Sequence, residues 1–195
     1  MEMKRIATQV ERQAPQVTAP SAEEIETIKH KALGRPGAEE FADVIDLLYG
    51  TGLRPREAEG LLWADVDFAR RVITVRSAMS DHIRFVPIHS KLLEVLRRRR
   101  ERLPDSRHVL GDHPRAVLDR VTLRFGKLSA NSFGRRLPLY SLRRSFALHW
   151  MNTGGDWGSL ASALGHRSVE TTRYLFGTRQ QRLETTARSM AAPRG

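Results

Sequence analysis

Two runs rich in β-branched residues, RRVITVRS (70–77) and HIRFVPI (82–88), stand alone in a chain whose other periodic segments repeat at helical spacing. Short alternating runs joined by a polar loop around Ala78 to Asp81 predict one β-hairpin. Around it, SAEEIETIKHKAL opens with a Ser21/Glu24 capping box and sets Ile25, Ile28 and Ala32 on one face. AEEFADVIDLLYG places Phe41, Ile45, Leu48 and Tyr49 at helical spacing and ends at Gly50, and RPREAEGLLW gives a shorter helix with Pro55 in its first turn. Ser90 is read as the cap of KLLEVLRRRRERL, with Leu92, Leu93, Val95 and Leu96 facing inward and an Arg-rich end suited to the negative helix terminus. Residues 104–139 carry scattered basic residues and turns and yield no clear element. From Ser141 helical patterns return, with Asp156 and Ser168 as caps of the last two. The fold class expected is α+β, mainly α-helical, with a small antiparallel β-hairpin or sheet.

Composition narrows the function classes. The net charge is +11, yet residues 1–50 hold six Lys/Arg against nine Asp/Glu, so the remainder carries all the excess. A basic body of this kind suits a polyanion partner, because cations that neutralise phosphates release counterions. A coding bias toward Arg is the bland alternative. Only five of the 33 bases are Lys, and Arg makes forked contacts to phosphate oxygens. The absence of cysteine excludes disulfides and thiolate metal sites. No apolar run reaches the length of a membrane span, and a soluble intracellular protein is the expectation.

Two clusters, in order, carry a resemblance. TGLRPREAEGLLWADVDFARRVITVR and YSLRRSFALHWMNTGGDWGSLASALGHRSVETTRYL, with VPIHSKLLEVL between them, resemble the catalytic domain of tyrosine recombinases, the phage integrases. Residues 1–20 have little periodicity and read as an arm or linker, with prolines at Pro15 and Pro20. The resemblance implies 21–178 as the catalytic-type domain and 179–195 as a tail helix, either exchanged with a neighbouring protomer, as family members often do, or packed in cis. It also implies double-stranded DNA as partner, self-association on that DNA, no metal, no cofactor, no membrane and no small-molecule substrate. The protein would be cytoplasmic and nucleoid-associated, of prokaryotic or phage type. Family members usually carry a further N-terminal DNA-clamping domain, whereas a short arm precedes Ser21, as in a truncated gene or an excised domain.

Family chemistry is attack of a tyrosine hydroxyl on a backbone phosphate, which leaves a 3′-phosphotyrosyl link and a free 5′-hydroxyl. Charge building on the non-bridging oxygens needs fixed donors, and the leaving oxygen needs an acid. By position, Arg54 and Arg143 are the clamping arginines and Glu57 holds the helix after Arg54. His166 is a phosphate donor, and Tyr140 stands in the place of a histidine. Arg56, Arg84, Arg144, Arg167 and Arg173 are candidate DNA contacts.

Two departures stand out. The general-acid lysine of the family falls on Met79, and no lysine lies between Lys31 and Lys91, so His82 becomes the candidate substitute. The nucleophile normally stands nine residues after the histidine of L-G-H, where this chain has Leu175; Tyr174 is eighth. One residue of helix turns a side chain by about 100°, enough to lose an in-line attack. Tyr174 is the candidate nucleophile, and a degenerate recombinase that only binds DNA is the alternative. LASALGHRSVETTRYL also reads as a helix-turn-helix, which makes a transcription factor a third reading.

Overall fold

The computed structural model describes residues 19–76 and 83–177. Its order is α1 (Ala22–Ala32), α2 (Ala38–Thr51), α3 (Pro55–Glu59), a 3₁₀ turn (Trp63–Asp65), β1 (Val66–Asp67), β2 (Val72–Arg76), β3 (Ile83–Pro87), α4 (Ser90–Arg102), α5 (Pro114–Phe133), α6 (Ser141–Asn152), α7 (Trp157–Leu164) and α8 (Val169–Phe176). The strands form one antiparallel sheet in the order β1-β2-β3, with Val66 opposite Ile73 and Thr74 opposite Phe85. The mainly helical fold with a small antiparallel sheet is therefore present.

Local chemistry sets most boundaries. Ser21 Oγ accepts from Glu24 N while the Glu24 carboxylate accepts from Ser21 N, so the box at α1 closes in both directions. Asp156 and Ser168 accept from backbone amides at the starts of α7 and α8. At α4 the cap is His89, whose Nδ1 accepts from Leu92 N, and Ser90 is the first helical residue. The sequence leaves 104–139 unassigned, yet α5 fills twenty of those residues. Pro114 sits in its first turn, and Val117, Leu118, Val121, Phe125 and Leu128 are buried along one face. β1 is also absent from the sequence reading, because two residues carry no period.

Apolar packing divides into two clusters. The larger runs from Ile25 and Phe41 through Leu96 and Phe125 to Leu142. The smaller holds Phe146, Ala147, Leu160, Leu164 and Phe176, with Trp150, Met151, Trp157 and Leu175 against it. Gly52 lies at the seam: its φ is +64°, and an added methyl would sit 2.4 Å from Phe146 Cδ1 and 3.0 Å from Leu164 Cδ2. Only glycine can end α2 there and admit the second core so closely. Among the described residues no helix is long and apolar enough to cross a membrane, and no group of three His, Cys, Asp or Glu could hold a metal ion.

Candidate functional site

At the same seam, three elements deliver charged side chains to one carboxylate. Pro55 starts α3 directly after Arg54, and one helical turn later Glu57 points back at it. Glu57 Oε1 accepts from Arg54 Nη1 at 2.8 Å, and Oε2 accepts from the Arg54 backbone amide at 2.7 Å. From β3, Arg84 donates to both oxygens of the same carboxylate, at 2.9 and 2.7 Å. From α6, Arg143 Nη1 stands 3.9 Å from Oε2.

Arg143 is the keystone. Its side chain has no exposed surface. Nη1 donates to Gly52 O at 2.7 Å, at the end of α2, and Nη2 donates to Leu164 O at 2.7 Å, at the end of α7. Both acceptors are terminal helix carbonyls, which carry partial negative charge. Nη2 also lies 3.1 Å from His166 Nε2, while the buried Nε has no partner among the described residues. Burial, followed by the charge of Arg54, lowers the Arg143 pKa to about 10 against the pull of Glu57, so it remains a cation at neutral pH.

His166 completes the group. Burial, then the charges of Arg143, Arg54 and Arg84, bring its imidazole down to about 4, so the ring is neutral near pH 7. Its Nδ1 is 2.8 Å from Thr172 Oγ1 on α8, and its ring stacks on Phe176 at 5.9 Å. Burial works to raise the Glu57 pKa, but hydrogen bonds from Arg84 and from the Arg54 backbone, with their charges, hold it below the usual carboxylate range. Three guanidinium charges thus face one carboxylate beside a neutral imidazole, and the surplus is positive.

The structure brings Arg54, Arg143 and His166 together as the sequence reading expects. Arg54 is the accessible member, with 44% of its side chain exposed against 11% for Glu57. Tyr140 lies at the start of α6 with 43% of its surface exposed. Arg84, expected at the DNA surface, is turned inward instead: strand alternation sets it beside Val86, with Ile83 and Phe85 facing out. Its Nε donates to Ala163 O at 2.9 Å. Gly165, the glycine of L-G-H, has φ +70°, and a methyl there would come 2.9 Å from Arg84 Cδ. Arg144 Nη1 donates to Leu175 O at 2.6 Å and ties α6 to the end of α8. Arg56 and Arg167 are exposed and Arg173 is half-buried. His82 and Met79 lie outside the described residues.

Tyr174 is half-exposed on α8. Thr172 and Phe176 meet His166 from the same helix face. Tyr174 lies about 200° around the helix from Thr172, close to the opposite side. Leu175, at the usual position of the nucleophile, packs on the second core. Sequence reasoning passed over Thr172, whose signal was its place four residues after the Ser168 cap, on the inner face of α8. It also gave Glu57 a lesser role than the central one it has.

The profile described as Phage integrase family matches residues 19–180. The chain belongs to the phage integrase family. It is 35% identical over 132 residues to tyrosine recombinase XerA of Thermococcus onnurineus, covering 65% of this chain and 47% of that protein. It is 33% identical over 156 residues to tyrosine recombinase XerC of Myxococcus xanthus, covering 71% and 50%. The chain therefore spans about half the length of these relatives. Among solved structures, the XerA recombinase crystal structure matches with TM-score 0.68 at 22% identity, over 91% of this chain and 66% of that one. The pre-cleavage complex of XerH with its difH substrate matches with TM-score 0.66 at 22% identity, over 90% and 55%. These likenesses establish the shared fold. Within the phage integrase domain, α7, the Gly165 turn and α8 keep a helix-turn-helix outline, but the family match over residues 19–180 takes in the whole fold, which corrects the transcription-factor reading.

Proposed function

We propose that this chain is the DNA-engaging domain of a site-specific tyrosine recombinase, and that the arginine cluster around Glu57 takes a backbone phosphate of duplex DNA. The observation that carries this reading is the charge imbalance: Arg54, Arg84 and Arg143 face a single carboxylate, and His166 beside them is neutral. Partly desolvated cations in excess are costly until an anion completes them, and a phosphate supplies that anion. Arg54 meets the phosphate first, because it alone of the three is well exposed. The XerH structure, a pre-cleavage complex with its difH substrate, and the structure of a lambda integrase dimer bound to a COC′ core site support DNA as the partner and self-association on it as the working state.

In the full reaction the Tyr174 hydroxyl gives up its proton to solvent as its oxygen attacks phosphorus, and the bond to the 5′-oxygen breaks. A 3′-phosphotyrosyl link remains, and the departing oxygen receives a proton, with His82 as candidate donor in place of the family lysine. For Tyr174 to arrive in line, α8 must turn or the tyrosine must serve a neighbouring protomer. A second reading keeps DNA binding and drops cleavage. It is supported by the place of Tyr174 opposite Thr172 and Phe176, and by Met79 at the lysine position.

A suicide duplex nicked beside the cleavage site separates the two, with metal-free relaxation of supercoiled plasmid as a first screen. A covalent protein–DNA band on a denaturing gel that is lost in Tyr174→Phe supports the recombinase reading. Salt-sensitive binding with no band supports the second, and absence of both contradicts either.

A further inference from the structure

Thr172 is fully buried, at 0% exposure, and has no place in the phosphate reading above. Its hydroxyl faces His166 Nδ1 at 2.8 Å and Ser168 O at 3.5 Å. On the other side of the ring, His166 Nε2 faces Arg143 Nη2 at 3.1 Å. A guanidinium has donors and no acceptor, so Nε2 must accept. The one proton of a neutral imidazole then resides on Nδ1 and is donated to Thr172 Oγ1, whose own proton points along the helix toward Ser168 O. The four groups form a single directed chain.

We propose that Thr172 is a positioning residue: by accepting from the Nδ1–H of His166 it fixes the ring in the orientation that turns Nε2 to the arginine cluster. The arrangement has a consequence at the phosphate, and here it rests on the phosphate reading. When a phosphate oxygen enters and a proton from solvent is taken up, Nε2 changes from acceptor to donor. Nδ1–H continues to donate to Thr172, so no ring flip is needed. Thr172 thereby keeps the imidazole aligned in both charge states.

The test is long-range ¹H–¹⁵N NMR of the histidine rings in the DNA-free chain at neutral pH, with the His166 signals identified by their loss in His166→Gln. The expected wild-type pattern is Nδ1–H with a downfield, hydrogen-bonded ring proton, retained in Thr172→Ser. In Thr172→Val the tautomer stays Nδ1–H, because Arg143 still faces Nε2, but the ring proton has lost its acceptor and moves upfield. A wild-type Nε2–H pattern overturns the proposal on its own, even where the valine variant fails to fold. A ring-proton resonance left at its wild-type position in folded Thr172→Val overturns it as well. Because the spectrum needs no DNA, failure of the phosphate reading appears separately, as loss of salt-dependent DNA binding with the tautomer intact.

Discussion

Two arginine clusters in this molecule, each built around a buried guanidinium, use the same side chains to different ends. In the first, Arg99 is 5% exposed; it donates to Val109 O at 2.6 Å and Leu110 O at 2.9 Å and pairs with Asp43. Arg102 bonds the same Asp43 and reaches Glu39 at 2.6 Å, and Arg120 pairs with Glu40 at 2.9 Å. Each guanidinium there has a carboxylate to match. In the second, one carboxylate serves Arg54, Arg84 and Arg143. The balanced cluster joins α2, α4 and α5 and is complete as it stands. The unbalanced one joins α2, α3, β3, α6 and α7 around a positive surplus, and this separates a structural tie from a site that awaits an anion. Burial alone would not distinguish Arg99 from Arg143.

The sharpest way to break the contrast is to remove the carboxylates. Glu57→Gln leaves buried cations facing one another and should lower unfolding free energy by about 3–5 kcal/mol, read from urea midpoints. Asp43→Asn should lie near the lower end of that range, since Glu39 and Glu40 remain nearby. Equal losses would remove the electrostatic difference between the clusters.

Next in size is the pH response of His166, an imidazole held near 4 in the fold against about 6.5 in the unfolded chain. The unfolded state binds the extra proton in that window, so this contribution is complete above pH 6.5 and is lost as pH falls toward 4. The loss should be on the order of 2–3 kcal/mol. His166→Gln should flatten that part of the stability curve and leave the Glu57 contribution at lower pH. An unchanged curve would mean the imidazole does not feel the arginines.

Gly165→Ala should cost about 2 kcal/mol, since its backbone is left-handed and its methyl would push Arg84. Smallest of all, Arg54→Ala and Tyr174→Phe should each change stability by less than about 0.5 kcal/mol, because both side chains are partly exposed.

What the sequence made legible follows from how local the determining forces are. The Ser21/Glu24 box, the Asp156 and Ser168 caps and the inward stripe of Ile25, Ile28 and Ala32 depend on neighbours within a turn or so. α5 was hidden because Thr122, Gly126, Ser129, Asn131 and Ser132 are poor helix formers, and tertiary packing of Val121, Phe125 and Leu128 overrides them. Gly126 even has a use, since a methyl there would meet Arg136 Nε at 3.0 Å. Within the site, spacing located Arg54, Arg143 and His166. That Arg84 turns inward depends on Glu57, a distant residue in sequence, and on the register of β2 against β3. The displacement of Tyr174 was legible as a count, but only the contacts of Thr172 and Phe176 reveal which way it faces.

The central claim is that the unbalanced cluster, and not the balanced one, takes a DNA phosphate. The direct measurement is duplex DNA affinity as a function of salt for the wild type, Arg54→Ala and Arg102→Ala. Loss of one phosphate contact should reduce the slope of log K against log salt by about one in Arg54→Ala, with weaker binding, and leave it unchanged in Arg102→Ala. Equal slopes in the wild type and Arg54→Ala, or a reduced slope in Arg102→Ala alone, would contradict the account.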